Sequence, residues 1–130
     1  MARPRSEHPT PAELEVLKVL WVGREMTVRE VMDALGDHRR AYTSVMSLLN
    51  VMTEKGLLKR RPKGRAFAYR AKADRKRTFG TLLGDLLGRV YEGSASTLVA
   101  QLLEQSKPSK EELEQIHDLI KTYRESEARA

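Results

Sequence analysis

Thr43, Ser44, Ser47 and Asn50 place three hydroxyls and a carboxamide within two helical turns. On a 3.6-residue period Thr43, Ser47, Asn50 and Glu54 share one face, opposite an apolar stripe of Val45, Leu48, Leu49 and Met52. The chemistry such a face supports is recognition, not bond-making. Hydroxyls bond to base edges or phosphates without much preference, and a carboxamide pairs bidentately with adenine, at about 1–3 kcal/mol of discrimination. The short side chains near the helix start also allow a close approach to a groove floor. Met46, on the flank, suits a thymine methyl or the core. Taken alone, the face fits a solvated helix surface better.

The residues that follow weigh against the solvated surface. Between Thr53 and Arg77, eleven lysines and arginines stand against only Glu54 and Asp74, a net of +9. The whole chain carries +6, so the remainder is net −3. A positive block next to a small polar helix face is the electrostatic footprint expected for duplex DNA. Arg39, Arg40, Tyr42, Lys63 and Arg65 are the candidate phosphate contacts, which set register without reading sequence.

Catalytic patterns are missing. His8, His38 and His117 are predicted in a terminal tail, a loop and a polar helix face, and no His-x-x-x-His, Gly-x-Ser-x-Gly or phosphate-cradling glycine loop occurs. Asp33 and Asp37 flank a helix end, where solvated carboxylates are commoner than an acid–base pair. With no cysteine there are no disulfides, thiolate metal sites or thiol nucleophiles, which fits a reducing cytoplasm. We therefore expect no enzymatic activity, no metal and no cofactor. No stretch approaches the ~20 apolar residues of a membrane span. The first residues, Met1-Ala2-Arg3-Pro4-Arg5, carry charge without a following apolar core. The expected location is the cytoplasm, without membrane insertion.

Local signals define the elements that must position these groups. Thr10-Pro11-Ala12-Glu13 combines a capping Thr, a Pro at the first helical position and a Glu three residues on, ahead of Leu14, Leu17, Leu20 and Trp21. A second capping box, Thr27 to Glu30, opens a short helix carrying Val28, Val31, Met32 and Leu35, and Gly36 stops it. The third helix is expected from Tyr42 to Lys55, with Thr43 or Ser44 near its cap and Gly56 beyond its end. The period then changes. Leu57 to Arg61 and Ala66 to Arg70 read as strands around a turn at Pro62-Lys63-Gly64-Arg65. Three helices and a basic-tipped hairpin are the order of a winged helix-turn-helix.

Beyond residue 77 the pattern is helical again. Phe79, Leu82, Leu83, Leu86, Leu87 and Val90 form a long stripe interrupted by Gly80, Gly84 and Gly88, a spacing compatible with close helix approach. Gly93 breaks the chain, Leu98, Val99, Leu102 and Leu103 begin another helix, and Lys107-Pro108 ends it. A third capping box at Ser109-Lys110-Glu111-Glu112 opens a last helix carrying Leu113, Ile116, Ile120 and Tyr123. These stripes could fold back on the first domain, but a second copy of themselves is the more economical cover. The sequence therefore predicts a mainly α protein. A tail at 1–9 precedes a winged-helix domain at 10–73 and a three-helix dimerisation domain at 74–130. The dimer contacts are expected at Leu82, Leu83, Leu86, Leu87, Val90, Leu98, Leu102, Leu113, Ile116, Ile120 and Tyr123.

Several runs resemble the BlaI/MecI penicillinase-repressor family. They are Thr-Pro-Ala-Glu-Leu-Glu-Val-Leu-Lys-Val-Leu-Trp (10–21), Thr-Val-Arg-Glu-Val (27–31) and Ala-Tyr-Thr-Ser-Val-Met-Ser-Leu-Leu (41–49). Glu-Lys-Gly-Leu-Leu (54–58), Gly-Arg-Ala-Phe-Ala-Tyr (64–69) and Gly-Ser-Ala-Ser-Thr-Leu-Val-Ala (93–100) continue the likeness, which covers about residues 10 to 123. The resemblance implies a bacterial transcriptional repressor that binds a palindromic operator as a homodimer. It also implies induction by proteolysis within the dimerisation domain, triggered by a membrane sensor with a metallopeptidase domain. The matching bond would be Gln101–Leu102, where staphylococcal members carry Asn-Phe. Copper-responsive relatives have a cysteine-rich C-terminal motif that this chain lacks.

Other functions remain open at this level. A non-specific architectural binder would hold any duplex equally, and a protein-interaction winged helix would hold none. A ligand-sensing regulator would need convergent polar groups around a pocket, which the sequence does not display.

Overall fold

A computed structural model describes residues 8–36 and 40–129. Arg39, and with it His38 and Asp37, lies outside the described residues, as does most of the expected tail. The described chain runs α1 (Pro11–Leu20), β1 (Met26–Thr27), α2 (Val28–Leu35), α3 (Tyr42–Glu54), β2 (Leu58–Lys63), β3 (Ala66–Ala71), α4 (Arg75–Arg89), α5 (Ala95–Ser106) and α6 (Lys110–Arg129). It divides into two compact units, residues 1–84 and 85–130, with the division inside α4.

In the first unit, α1 and α2 start where their capping boxes require. The Thr10 hydroxyl accepts from Glu13 N–H at 3.2 Å while Glu13 Oε1 accepts from Thr10 N–H at 2.8 Å. Thr27 and Glu30 repeat the exchange. Each box satisfies helix-end donors that would otherwise go unpaired. Gly36 then ends α2 at φ 65°, a left-handed conformation open to glycine at little cost. The cap of α3 departs from expectation. Ala41 caps it without any side-chain bond, and Thr43 and Ser44 lie inside its first turn with their side chains exposed.

The core joins Val16, Leu17 and Leu20 of α1 to Val28 and Val31 of α2, Val45, Leu49 and Met52 of α3, and Leu58 and Tyr69 of the sheet. Leu14, expected on the buried stripe, is only half-buried, and Glu13 is the buried residue of that turn. The sheet has three antiparallel strands in the order β1-β3-β2. The two-residue β1, which pairs Met26 with Tyr69, is too short to carry a period legible in sequence. Pro62 also departs from expectation: it lies within β2 opposite Phe67, not in the turn. Because β2 is an edge strand, the missing N–H of Pro62 is tolerated there. The turn itself is Gly64-Arg65, and Gly64 has φ 64°, the positive value a two-residue hairpin needs at its first position.

The second unit contains the end of α4 together with α5 and α6. Ser94 caps α5, accepting from Thr97 N–H at 3.3 Å, and Ser109 accepts from Glu112 N–H at 3.1 Å at the start of α6. Neither α5 nor α6 has a buried residue among those described. Among the described residues, a Cβ added at Gly80, Gly84 or Gly88 would meet nothing within 4 Å.

Candidate nucleic-acid interface

Helix α3 is set by its apolar stripe. Burying Val45, Leu49 and Met52 turns Tyr42, Thr43, Ser44, Met46 and Ser47 outward, and all five are exposed. Val51 joins them at 46% exposure, an apolar residue on the same face that the sequence pattern did not single out. Its separation of four from Ser47 was the available signal. The Arg29 guanidinium of α2 lies 5.7 Å from the Tyr42 ring centroid and adds positive charge at the helix start.

Asn50 is arranged differently from its neighbours on the wheel. It is half-buried, and its Oδ1 accepts from the Tyr69 hydroxyl at 2.7 Å and from Arg60 Nη1 at 2.9 Å. The amide thus ties α3 to both strands of the wing. Arg60 in turn lies over the Phe67 ring, its guanidinium carbon 4.4 Å from the centroid.

Strand alternation sorts the basic residues of the wing onto two sides. Arg60 pairs across the sheet with Tyr69, on the side toward α3. Lys59, opposite Arg70, and Arg61, opposite Ala68, point the other way. There the Arg61 guanidinium donates to Glu25, Nε to Oε2 at 2.7 Å. That hydrogen bond holds the Glu25 carboxyl below its ordinary range, with the charges of Arg61, Lys63 and Arg70 assisting. The same bond raises Arg61. Lys63, at the end of β2, and Arg65, in the turn, are exposed at the wing tip.

Two other cations are engaged within the fold. Lys55 Nζ lies 2.7 Å from the buried Glu13, and Arg40 Nη2 is 3.3 Å from Glu15 on α1. The positive block seen in the sequence is therefore not all available to a polyanion. Thr43, Ser44, Met46, Ser47, Lys63 and Arg65 are exposed; Asn50 and Arg40 are bonded within the fold.

Of the residues expected to pair protomers, Leu83, Leu86, Val90, Leu102, Leu113, Ile120 and Tyr123 are exposed and Leu82, Leu87, Leu98 and Ile116 are half-buried. Leu119, not foreseen, is 69% exposed on α6. The Gln101–Leu102 bond lies within α5. Among the described residues no cluster of histidine, aspartate or glutamate is placed to hold a metal ion, and no helix is long and apolar enough to cross a membrane.

Comparison with known proteins identifies the family. A family model described as "Penicillinase repressor" matches residues 9–122. The chain is 26% identical over 114 residues to the penicillinase repressor of Bacillus licheniformis, covering 87% of this chain and 89% of the relative. It is 19% identical over 110 residues to the methicillin resistance regulatory protein MecI of Mammaliicoccus sciuri, covering 84% and 89%. Among solved structures, a MarR family protein from Bacillus stearothermophilus superposes with a TM-score of 0.50 at 18% identity, over 92% of this chain and 75% of that one. That last likeness is one of fold.

Proposed function

The chain belongs to the penicillinase repressor family, and on that premise we propose that it represses transcription by binding a palindromic operator as a homodimer. It is a DNA-binding transcriptional regulator with a winged-helix fold, and its family is not one of enzymes. The observation that carries the finer reading is the exposed start of α3, with Thr43, Ser44, Met46 and Ser47 facing out in the same unit as the basic tip at Lys63 and Arg65.

On this reading residues 10–73 hold the DNA and residues 74–130 pair the protomers. Thr43, Ser44, Met46 and Ser47 meet base edges, while Tyr42, Lys63 and Arg65 hold phosphates, with Arg40 beside them. A unit whose helices α5 and α6 bury nothing alone is stabilised by a second copy, and a symmetric pair of readers matches a symmetric site. Pairing raises the effective concentration of the second reading head once the first is bound. The bound dimer then excludes polymerase in the cytoplasm, without any chemistry.

Induction follows from the same arrangement. Cutting Gln101–Leu102, by a membrane sensor metallopeptidase in this reading, would sever α5 and remove the pairing gain while leaving the reading head intact. Peptidases take extended substrates, so α5 must open locally before that bond is cut.

The test is binding to promoter DNA upstream of the protein's own gene, titrated with salt and with unrelated duplex as competitor. Two protomers per site, resistance to competitor and a steep salt slope support the proposal. Equal affinity for both duplexes replaces it with an architectural role, and absence of binding removes DNA as the partner.

A further inference from the structure

We infer that Arg60 is a preset anchor for the phosphate strand that separates two adjacent DNA grooves, and that Asn50 positions it instead of reading a base. The inference rests on the DNA-binding reading above and assigns residues within it.

The carbonyl of Asn50 has two lone pairs, and both are occupied: one by the buried Tyr69 hydroxyl at 2.7 Å, the other by Arg60 Nη1 at 2.9 Å. Bidentate pairing with adenine uses that same oxygen as its acceptor. Asn50 would have to give up both bonds to make it, leaving a buried phenol without its partner. The amide is built to hold Arg60.

Arg60 is held on a second side as well. Its guanidinium lies over the Phe67 ring at 4.4 Å, on the neighbouring strand. A hydrogen bond at one edge and an aromatic face beneath it fix the plane of a long side chain that is otherwise free to rotate. The bond to Asn50 uses one of the five guanidinium N–H donors. Arg60 itself remains exposed.

Its place decides what those donors meet. Arg60 lies in the seam between α3 and the wing, on the α3 side of the sheet. With α3 in a major groove, the wing beside it reaches the neighbouring groove, and a single sugar–phosphate strand separates the two. That strand crosses the seam. A planar fork held rigid there matches two phosphate oxygens. Arg61, one residue on, points to the other side of the sheet and is bound to Glu25, so it cannot substitute.

The experiment uses the full chain and the tightest duplex selected from random double-stranded DNA. Arg60→Ala, Arg60→Lys and Asn50→Ala are each compared with the parent on that duplex, on its single-base variants, and on copies carrying one neutral methylphosphonate at a time. Thermal unfolding confirms that each variant is folded at the assay temperature. Arg60→Ala should weaken all sequences alike, by about tenfold for a lost charged hydrogen bond, and lower the salt slope by about one. One methylphosphonate that weakens the parent should leave Arg60→Ala unaffected. Arg60→Lys should restore the slope but only part of the affinity. Asn50→Ala should leave base preference unchanged and cost nothing further in the Arg60→Ala background. A change of base preference in either variant, or unchanged affinity in Arg60→Ala, overturns the inference while the DNA-binding reading stands. If the parent selects no duplex at all, that reading falls and this one with it.

Discussion

Lys55 Nζ lies 2.7 Å from Oε1 of Glu13, joining the end of α3 to the first turn of α1. Glu13 is only 2% exposed, and the same oxygen completes its capping box with Thr10. One carboxylate thus starts α1 and holds the far end of the helix that carries the candidate reading face. Lys55→Met should leave that carboxylate buried without its counter-ion, at a cost of about 3 kcal/mol. Urea unfolding checks this, and an unchanged midpoint would show that solvent reaches Glu13 more easily than its burial indicates.

Trp21 stands at the junction of α1 and the start of α4. Its Nε1–H donates to the Ala73 carbonyl at 2.8 Å, and its ring meets Phe79 edge to face with centroids 5.4 Å apart. Phe79→Leu should lose about 1 kcal/mol from the aromatic pair. Trp21 is the only tryptophan in the chain, so its emission reports the contact directly. A shift to longer wavelength is expected, and unaltered emission would place the start of α4 elsewhere in solution.

Acid should weaken the first unit through Glu30 and Glu25. Glu30 is held below its ordinary pKa by the hydrogen bonds from the Thr27 backbone and hydroxyl, and Glu25 by the bond from Arg61. A carboxyl with a depressed folded pKa contributes stability that is full above its unfolded value, near 4.5 here, and is lost as pH falls through the folded one. Unfolding midpoints should therefore decline below about pH 4.5. Glu30→Gln, which can still accept from Thr27 but cannot ionise, should already lack that contribution at pH 7 and so flatten part of the slope. An identical slope in the variant would move the effect to other carboxylates.

On the proposed DNA face, reading and anchoring should separate by mutation. Ser47→Ala should alter operator preference at one base pair, by about 1 kcal/mol of discrimination. Arg65→Ala should weaken all sequences and lower the salt slope by about one. If Arg65→Ala instead changed sequence preference, the wing tip would be reading bases.

Charge placed on the exposed stripe of the second unit should separate the protomers of the proposed dimer. Ile120, 52% exposed on α6, is a suitable site. Ile120→Asp should sediment as a monomer and lose on the order of a hundredfold in operator affinity, the avidity of paired reading heads. Its Trp21 emission should stay that of the parent. A variant that remains dimeric would exclude this face of α6 from the interface.

What could be read directly was local. Thr10 with Glu13 and Thr27 with Glu30 announce their helices because a capping box closes within four residues, whatever lies beyond. The stripe of Val45, Leu49 and Met52 determines which side of α3 is buried, and so leaves Thr43 and Ser47 outward. The family likeness was also carried by short ordered runs, and the family model over residues 9–122 agrees with it.

The remainder depended on partners far along the chain. A wheel places Asn50 with Ser47, yet Tyr69 and Arg60 take its carbonyl, and nothing within α3 names them. Lys55 counts as one more positive charge until Glu13, forty-two positions earlier, removes it from the surface. Pro62 reads as turn because its tolerance in β2 depends on that strand lying at the sheet edge. The sequence by itself determined the helices, the hairpin, the outward hydroxyls and the basic window, since each follows from spacing within a few residues. Only the tertiary structure decided which amide and which cations face outward, because a polar side chain bonds to whichever partner packing brings within about 3 Å.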